Sequence, residues 1–161
     1  LLQKEVEIDP DDTMGAVYFN KLFPLGVEAM LESVQLVKEG KAPKIEQDPS
    51  SGEYEPICRQ MVIDWMYPVG IVYNVIRGCN PSPGASTTYK GQSLKVFDCE
   101  KRSASGRQTP GTITQLADEG FLVAGNGGSI FVKRVQPEGG KKMDAEEFST
   151  TYGVRVGDTV G

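Results

Sequence analysis

The 161-residue sequence contains no histidine. That absence excludes a Ser-His-Asp or Cys-His catalytic pair and leaves acid/base chemistry near neutral pH to a perturbed carboxylate, Lys, Cys or Tyr. Cysteine is scarce as well: Cys58, Cys79 and Cys99 are odd in number, far apart and in no Cys-x-x-Cys spacing. Buried reduced thiols are therefore expected, rather than a disulfide framework or a zinc site. No apolar run approaches about 18 residues, the length a membrane-spanning helix needs. No signal-peptide pattern opens the sequence, and the chain reads as cytosolic. Positive charge is not in excess: the net charge is −5, with 6 Lys+Arg against 12 Asp+Glu in residues 1–60 and 11 against 10 thereafter. Nucleic-acid binders usually carry a larger basic surplus. No catalytic, cofactor-binding or metal-ligating residue can be named.

What is present is organised around Ile71–Ala85, IVYNVIRGCNPSPGA. Val69, Val72, Tyr73 and Ile76 recur at helical spacing and predict a buried face. Pro68 suits the first turn, Gly78 the position of a left-handed C′ residue, and Pro81 and Pro83 forbid continuation. Upstream, Leu1–Ile8 reads as a strand entered part-way, without a partner of its own. Asp12 is expected to cap a first helix with Met14, Val17, Tyr18 and Leu22 on one face, and Pro24 to break it from a second that runs to Lys38 and closes at Gly40. Lys41 to Glu55 has a linker's composition. Two readings of it stand: a flexible connection, or a segment pinned by Gln47, Asp48 and Tyr54. The sole tryptophan, Trp65, is expected to pack where linker meets helix, its N–H needing a partner.

Downstream of Ala85 the pattern is β. Strands are predicted at Ser86–Tyr89, Gln92–Glu100, Thr112–Ala117, Phe121–Ala124 and Ser129–Gln136. In the second of these Leu94, Val96 and Asp98 share one face and Lys95, Phe97 and Cys99 the other. Asn126-Gly127 predicts a type I′ hairpin. Short strands joined by short turns suit an OB-like barrel. Asp144 with Glu147 at N3 spells a capping box, Met143 with Phe148 a hydrophobic staple, and Val154–Asp158 a last edge strand. Basic residues gather at Lys101, Arg102 and Arg107, at Lys133-Arg134 and at Lys141-Lys142. They are solvated loops, or phosphate contacts if their loops converge.

The strings LLQKEVEI, DDTMGAVYFNKLFPLGVEAML, QD…EYEP, IDW, IRGCNPSPGA, VQPEGGKKMDAEEF and GVRVGD follow one another in an order that resembles the C-terminal part of the formyltetrahydrofolate-dependent formyltransferases. That family includes methionyl-tRNA formyltransferase and the hydrolase domain of 10-formyltetrahydrofolate dehydrogenase. The resemblance implies an α/β fragment, residues 1–40, closing the edge of a Rossmann-like catalytic domain. It implies a linker over 41–61 and an OB-like barrel over 62–161. In the family an Asn, a His and an Asp arrange attack on the formyl carbon of 10-formyltetrahydrofolate. None of the three can be carried onto this sequence, so the chain alone is expected to be inactive, to bind neither folate nor metal, and to depend on an N-terminal catalytic domain as partner. The resemblance favours a pinned linker. It makes Arg77, Lys133, Arg134, Lys141 and Lys142 the candidates for gripping an acceptor, with initiator tRNA placed first and water or a small amine next. Arg77-Gly78 matches the dehydrogenase-type pattern more than the tRNA enzymes. A non-catalytic OB-like binding module is the reading from another class.

Overall fold

In the computed structural model all residues are described except Gln47, Glu55, Cys58, Ala104, Ser105 and Arg107. The chain divides into two compact units, Leu1–Ile57 and Cys58–Gly161.

The first unit is one helical run: α1 (Met14–Ala16), a π-helical turn (Val17–Leu22) and α2 (Phe23–Lys38). Pro24 does not break it. A proline inside a helix lacks the N–H of one bond and its ring crowds the carbonyl four residues back. The wider π turn just before it, in which the Phe23 N–H donates to the Tyr18 carbonyl, absorbs that crowding. The N-cap is Thr13 and not Asp12: the Thr13 hydroxyl accepts from the Ala16 N–H at 3.1 Å. Asp12 instead accepts from the Asp9 N–H (2.9 Å) and from Lys21 Nζ (2.6 Å), closing the turn that Pro10 begins. At the far end Gly40 (φ 67°) allows the Lys41 N–H to reach the Leu36 carbonyl, as a Schellman cap requires.

Leu1–Ile8 forms no strand. A strand needs a ladder partner, and no strand exists among the described residues of this unit. Lys4–Glu32 (2.9 Å) and the bond from Lys21 Nζ to the Glu7 carbonyl (2.8 Å) hold the segment against the helix. Val17 is the one buried residue among those described, while Phe19, Phe23, Met30, Leu31 and Val37 are each more than half exposed. Tyr18, Leu22, Phe23, Val27, Met30 and Leu31 line a shallow apolar groove of about 490 Å³. So wide an apolar face without a core is a surface built to be covered.

The second unit is a seven-stranded mixed sheet with two helices. Its strands are β1 (Met61–Val62), β2 (Ala85–Tyr89), β3 (Gln92–Arg102), β4 (Ile113–Ala117), β5 (Gly120–Gly125), β6 (Gly128–Pro137) and β7 (Met143–Asp144). They run in the order β1-β2-β3-β6-β5-β4, with β7 beside β6. β1 is parallel to β2 and the other pairs are antiparallel. Pairing of these strands does not close the sheet into the barrel that the strand count suggested. The strand expected at Val154–Asp158 is a turn instead, and pairing comes later, at Thr159 and Val160.

α3 (Val69–Gly78) buries Val72, Tyr73 and Ile76 as the spacing predicts. It continues through Gly78 and stops at Cys79 (φ −96°) without a left-handed residue, because the two prolines beyond end it. Its first free N–H, on Val69, donates to the Asn126 carbonyl at 2.8 Å, and Asn126 Nδ2 donates to the Met66 carbonyl at 3.1 Å. Asn126 is thus committed to α3, and only Gly127 of its turn takes positive φ, so that turn is not type I′. The type I′ signature is at Lys90 (φ 50°) and Gly91 (φ 77°) between β2 and β3. The Trp65 indole N–H does find a partner, the Thr87 hydroxyl at 3.0 Å.

Phe97 is the extra residue of a β-bulge: Val96 pairs with Val135 and Asp98 with Arg134, leaving Phe97 unpaired. The bulge resets the alternation, so Cys99 packs against the core with Leu94 and Val96, and Asp98 faces out. Burial, then the charges of Asp98 and Glu100, pushes the Cys99 thiol up to about 12, which makes it inert at neutral pH. Cys79 is buried as well, and Cys58 lies outside the described residues. α4 (Ala145–Tyr152) starts at Asp144, but the Asp144 side chain makes no capping bond, since that residue is held in β7 opposite Arg134. The capping box therefore does not form, and the roughly 1 kcal/mol such a bond contributes is not available to Asp144.

Candidate functional site

The bulge in β3 and the strand β7 bring three cations to one place. Lys142 Nζ donates to the Pro81 carbonyl at 2.6 Å and lies 3.8 Å from the centroid of the Phe97 ring. Lys95 Nζ donates to the Pro83 carbonyl at 3.1 Å. The loop between α3 and β2 can lie this close because of Gly84: at φ 81°, a Cβ there would stand 2.5 Å from Phe97 Cζ. Arg134 stands on β6 opposite Asp98 and Asp144. Partial burial, then the charges of Arg134 and Lys95, holds the Lys142 ammonium below the ordinary lysine range. Among the described residues none of the three enters an ion pair with a carboxylate. A neutral carbonyl accepts from a lysine ammonium without offsetting its charge. Such a cluster attracts an anion and supplies no nucleophile or general base.

Of the candidates named from sequence, Arg134 and Lys142 meet here, and Lys141 is exposed beside them. Lys133 points elsewhere: its Nζ donates to Glu100 at 2.7 Å, and Glu100 also accepts from Arg102 at 3.0 Å. Arg102 in turn covers the Phe131 ring, 3.9 Å from its centroid. Arg77 lies on α3, its Nε donating to Asn74 at 2.9 Å. Asp48 serves its own short 3-10 turn (Pro49–Ser51), accepting from the Ser50 N–H at 2.9 Å. Tyr54 is 91% exposed, and Gln47 and Arg107 lie outside the described residues. Lys95 went unnamed because a lone lysine in mid-strand belongs to no basic run. Only the pairing of β3 with β6, which sets Phe97 outside the ladder, brings it to the cluster. Among the described residues no three His, Cys, Asp or Glu side chains converge as metal ligands.

The Glu100 cluster carries a pH signature. The hydrogen bond from Lys133, then that from Arg102, holds the Glu100 carboxyl below the ordinary range. A depressed carboxyl contributes stability that is complete above its unfolded pKa and fades as pH falls through the lower native one. Glu100→Gln is expected to cost no more than about 1 kcal/mol at pH 7, because these are exposed pairs. Urea titrations at pH 7 and in strong acid are expected to show the difference vanishing on the acid side.

The family model described as formyl transferase, C-terminal domain, matches residues 59–153. The chain belongs to the formyl transferase C-terminal domain family. Relatives that match nearly the whole chain extend the likeness. The methionyl-tRNA formyltransferase of Bacillus velezensis is 39% identical over 98% of this chain and 50% of that protein. The one from Moorella thermoacetica is 31% identical over 100% of the chain and 52% of that protein. The cytosolic 10-formyltetrahydrofolate dehydrogenase of Xenopus tropicalis is 34% identical over 94% of the chain and 18% of that protein. The chain thus spans about half the length of the methionyl-tRNA formyltransferases it matches. In shape it is similar to HypX from Aquifex aeolicus, solved in complex with tetrahydrofolic acid, with a TM-score of 0.76 over 94% of this chain and 27% of that one, at 17% identity.

Proposed function

We propose that this chain is the acceptor-positioning C-terminal part of a cytoplasmic formyltransferase. That enzyme moves the formyl group of 10-formyltetrahydrofolate to methionyl-tRNA, and the chemistry lies in an N-terminal half. The observation that carries the reading is the cluster of Lys95, Arg134 and Lys142, which keeps its charge in a chain whose net charge is −5. An acidic protein that holds cations apart from its carboxylates is equipped to meet phosphate oxygens locally. Lys141, exposed beside the cluster, and Arg77 on α3 extend the contact, while Lys133 stays with Glu100. The exposed face of α2 (Phe23–Lys38) is the seam for the catalytic half, as the closing edge of its Rossmann-like domain. Residues 41–61 connect the two. The 10-formyltetrahydrofolate co-substrate belongs to that half, and no metal is required.

The test is binding of uncharged initiator tRNA at two salt concentrations. Affinity is expected to fall steeply with salt, and Arg134→Ala with Lys142→Ala to lower the log–log slope by about 2. Absence of binding at low salt would remove tRNA. The 34% identity to 10-formyltetrahydrofolate dehydrogenase would then favour hydrolysis or a small amine as acceptor. Binding without any formyl transfer by the complete protein would favour a non-catalytic module.

A further inference from the structure

The residues after α4 belong to no named strand, yet they are hydrogen-bonded on both sides. Toward β4, the Ile113 N–H donates to the Asp158 carbonyl (2.8 Å), the Gly157 N–H to Ile113 (2.8 Å) and the Val160 N–H to Gly111 (2.9 Å). Toward β2, the Gly161 N–H donates to the Thr88 carbonyl at 3.0 Å. Val154–Gly161 therefore spans the gap between the end strand β4 and β2. One side-chain bond fastens it: the Tyr89 hydroxyl donates to Asp158 Oδ2 at 2.7 Å, and the same oxygen accepts the Arg155 N–H at 3.0 Å. Lys90 sits beside it, its Nζ 3.9 Å from Asp158 and within hydrogen-bond reach of the Tyr152 and Gly153 carbonyls. Under the segment lies Trp65, 4% exposed, with the Gly161 backbone so near that a Cβ there would stand 3.0 Å from its Cδ1.

We infer that Val154–Gly161 is a strap that opens as a unit while the sheet beneath stays folded, with Tyr89–Asp158 as its latch and Trp65 as the group it uncovers. Of the segment's three valines only Val154 and Val160 are buried, and no other side chain in it is. β3 and β6 share eight paired positions and the deepest core. Elements with little buried apolar surface open at lower free energy than the core. The latch is also a bond to a charged acceptor, stronger than a neutral one. Burial holds the Tyr89 phenol above its ordinary range, so it keeps the proton it donates. This inference is independent of the formyl-transfer reading.

Trp65 is the only tryptophan and packs against Gly161, so its fluorescence responds to opening of the strap. In the 161-residue chain, Asp158→Ala is expected to raise acrylamide quenching of Trp65 and to speed amide exchange at Val160 and Ile113 about tenfold, the loss of one charge-assisted bond. Exchange at Val96 and Val132 should not change. Tyr89→Phe, which keeps the ring and removes the donor, should act likewise. Equal acceleration at Val132 would mean global loosening and overturn the proposal. Unchanged exchange at Val160 in both variants would overturn it too.

Discussion

Phe148→Ala is expected to destabilise the Cys58–Gly161 unit by about 3 to 5 kcal/mol. The side chain is 1% exposed and is α4's large anchor, the other buried residue of that helix being Ala145. It stacks on Tyr152 with ring centroids 4.6 Å apart, meets Tyr89 edge-on at 5.6 Å and tilts against Phe121 at 6.4 Å. Truncation removes the burial and all three ring contacts, and a site walled by rings and strands collapses poorly onto the space. Domains of this size are stable by only about 5 to 15 kcal/mol, so the loss takes up a large part of the total. Tyr152→Ala serves as control. It loses the same stacked pair, but Tyr152 is 38% exposed, and its cost should be clearly smaller. Urea denaturation of the two variants measures the difference.

Gly120→Ala should be nearly as damaging despite adding a single methyl. At φ 148° a Cβ on Gly120 would stand 2.0 Å from the Val132 carbonyl oxygen and 3.2 Å from the Ala145 Cβ. The obstacle is the backbone of the neighbouring strand, so no rotamer change relieves it. Strain from the left-handed φ and overpacking together are expected to cost roughly 3 kcal/mol or more. Gly127→Ala separates the two contributions. Gly127 also has positive φ (82°), but nothing lies within 4 Å of its Cβ position, so only the conformational part, roughly 1 kcal/mol, should appear. Thermal or urea melts of both variants give the comparison.

Both positions show why part of this fold was legible in sequence and part was not. α3 and the strands β2 to β6 were readable because each repeats its own period over several residues. Phe148 was readable too, as the staple of a helix whose start was marked by Asp144, although the side-chain cap itself does not form. The bulge at Phe97 was not, because its cause is the pairing of β3 with a strand more than 30 residues away. That residue, together with Lys133 skipped in the ladder on β6, moved Cys99 inward and turned Asp98 out. Pro24 misled for a related reason: a proline announces a break, and nothing local announces that a π turn will absorb it. At the candidate site the basic pairs disclosed Arg134 and Lys142. Cross-strand register decided the rest, giving Lys133 to Glu100 and bringing in Lys95.

The proposed function has this chain position an acceptor and leave formyl chemistry to another half. Its most direct test is a formyl-transfer assay with 10-formyltetrahydrofolate and methionyl-tRNA, run on the 161-residue chain alone and on the complete protein, each with and without Arg134→Ala and Lys142→Ala. The expected result is no turnover by the chain alone, and in the complete protein a raised KM for tRNA with kcat largely kept. Release or transfer of the formyl group by the isolated chain would contradict it.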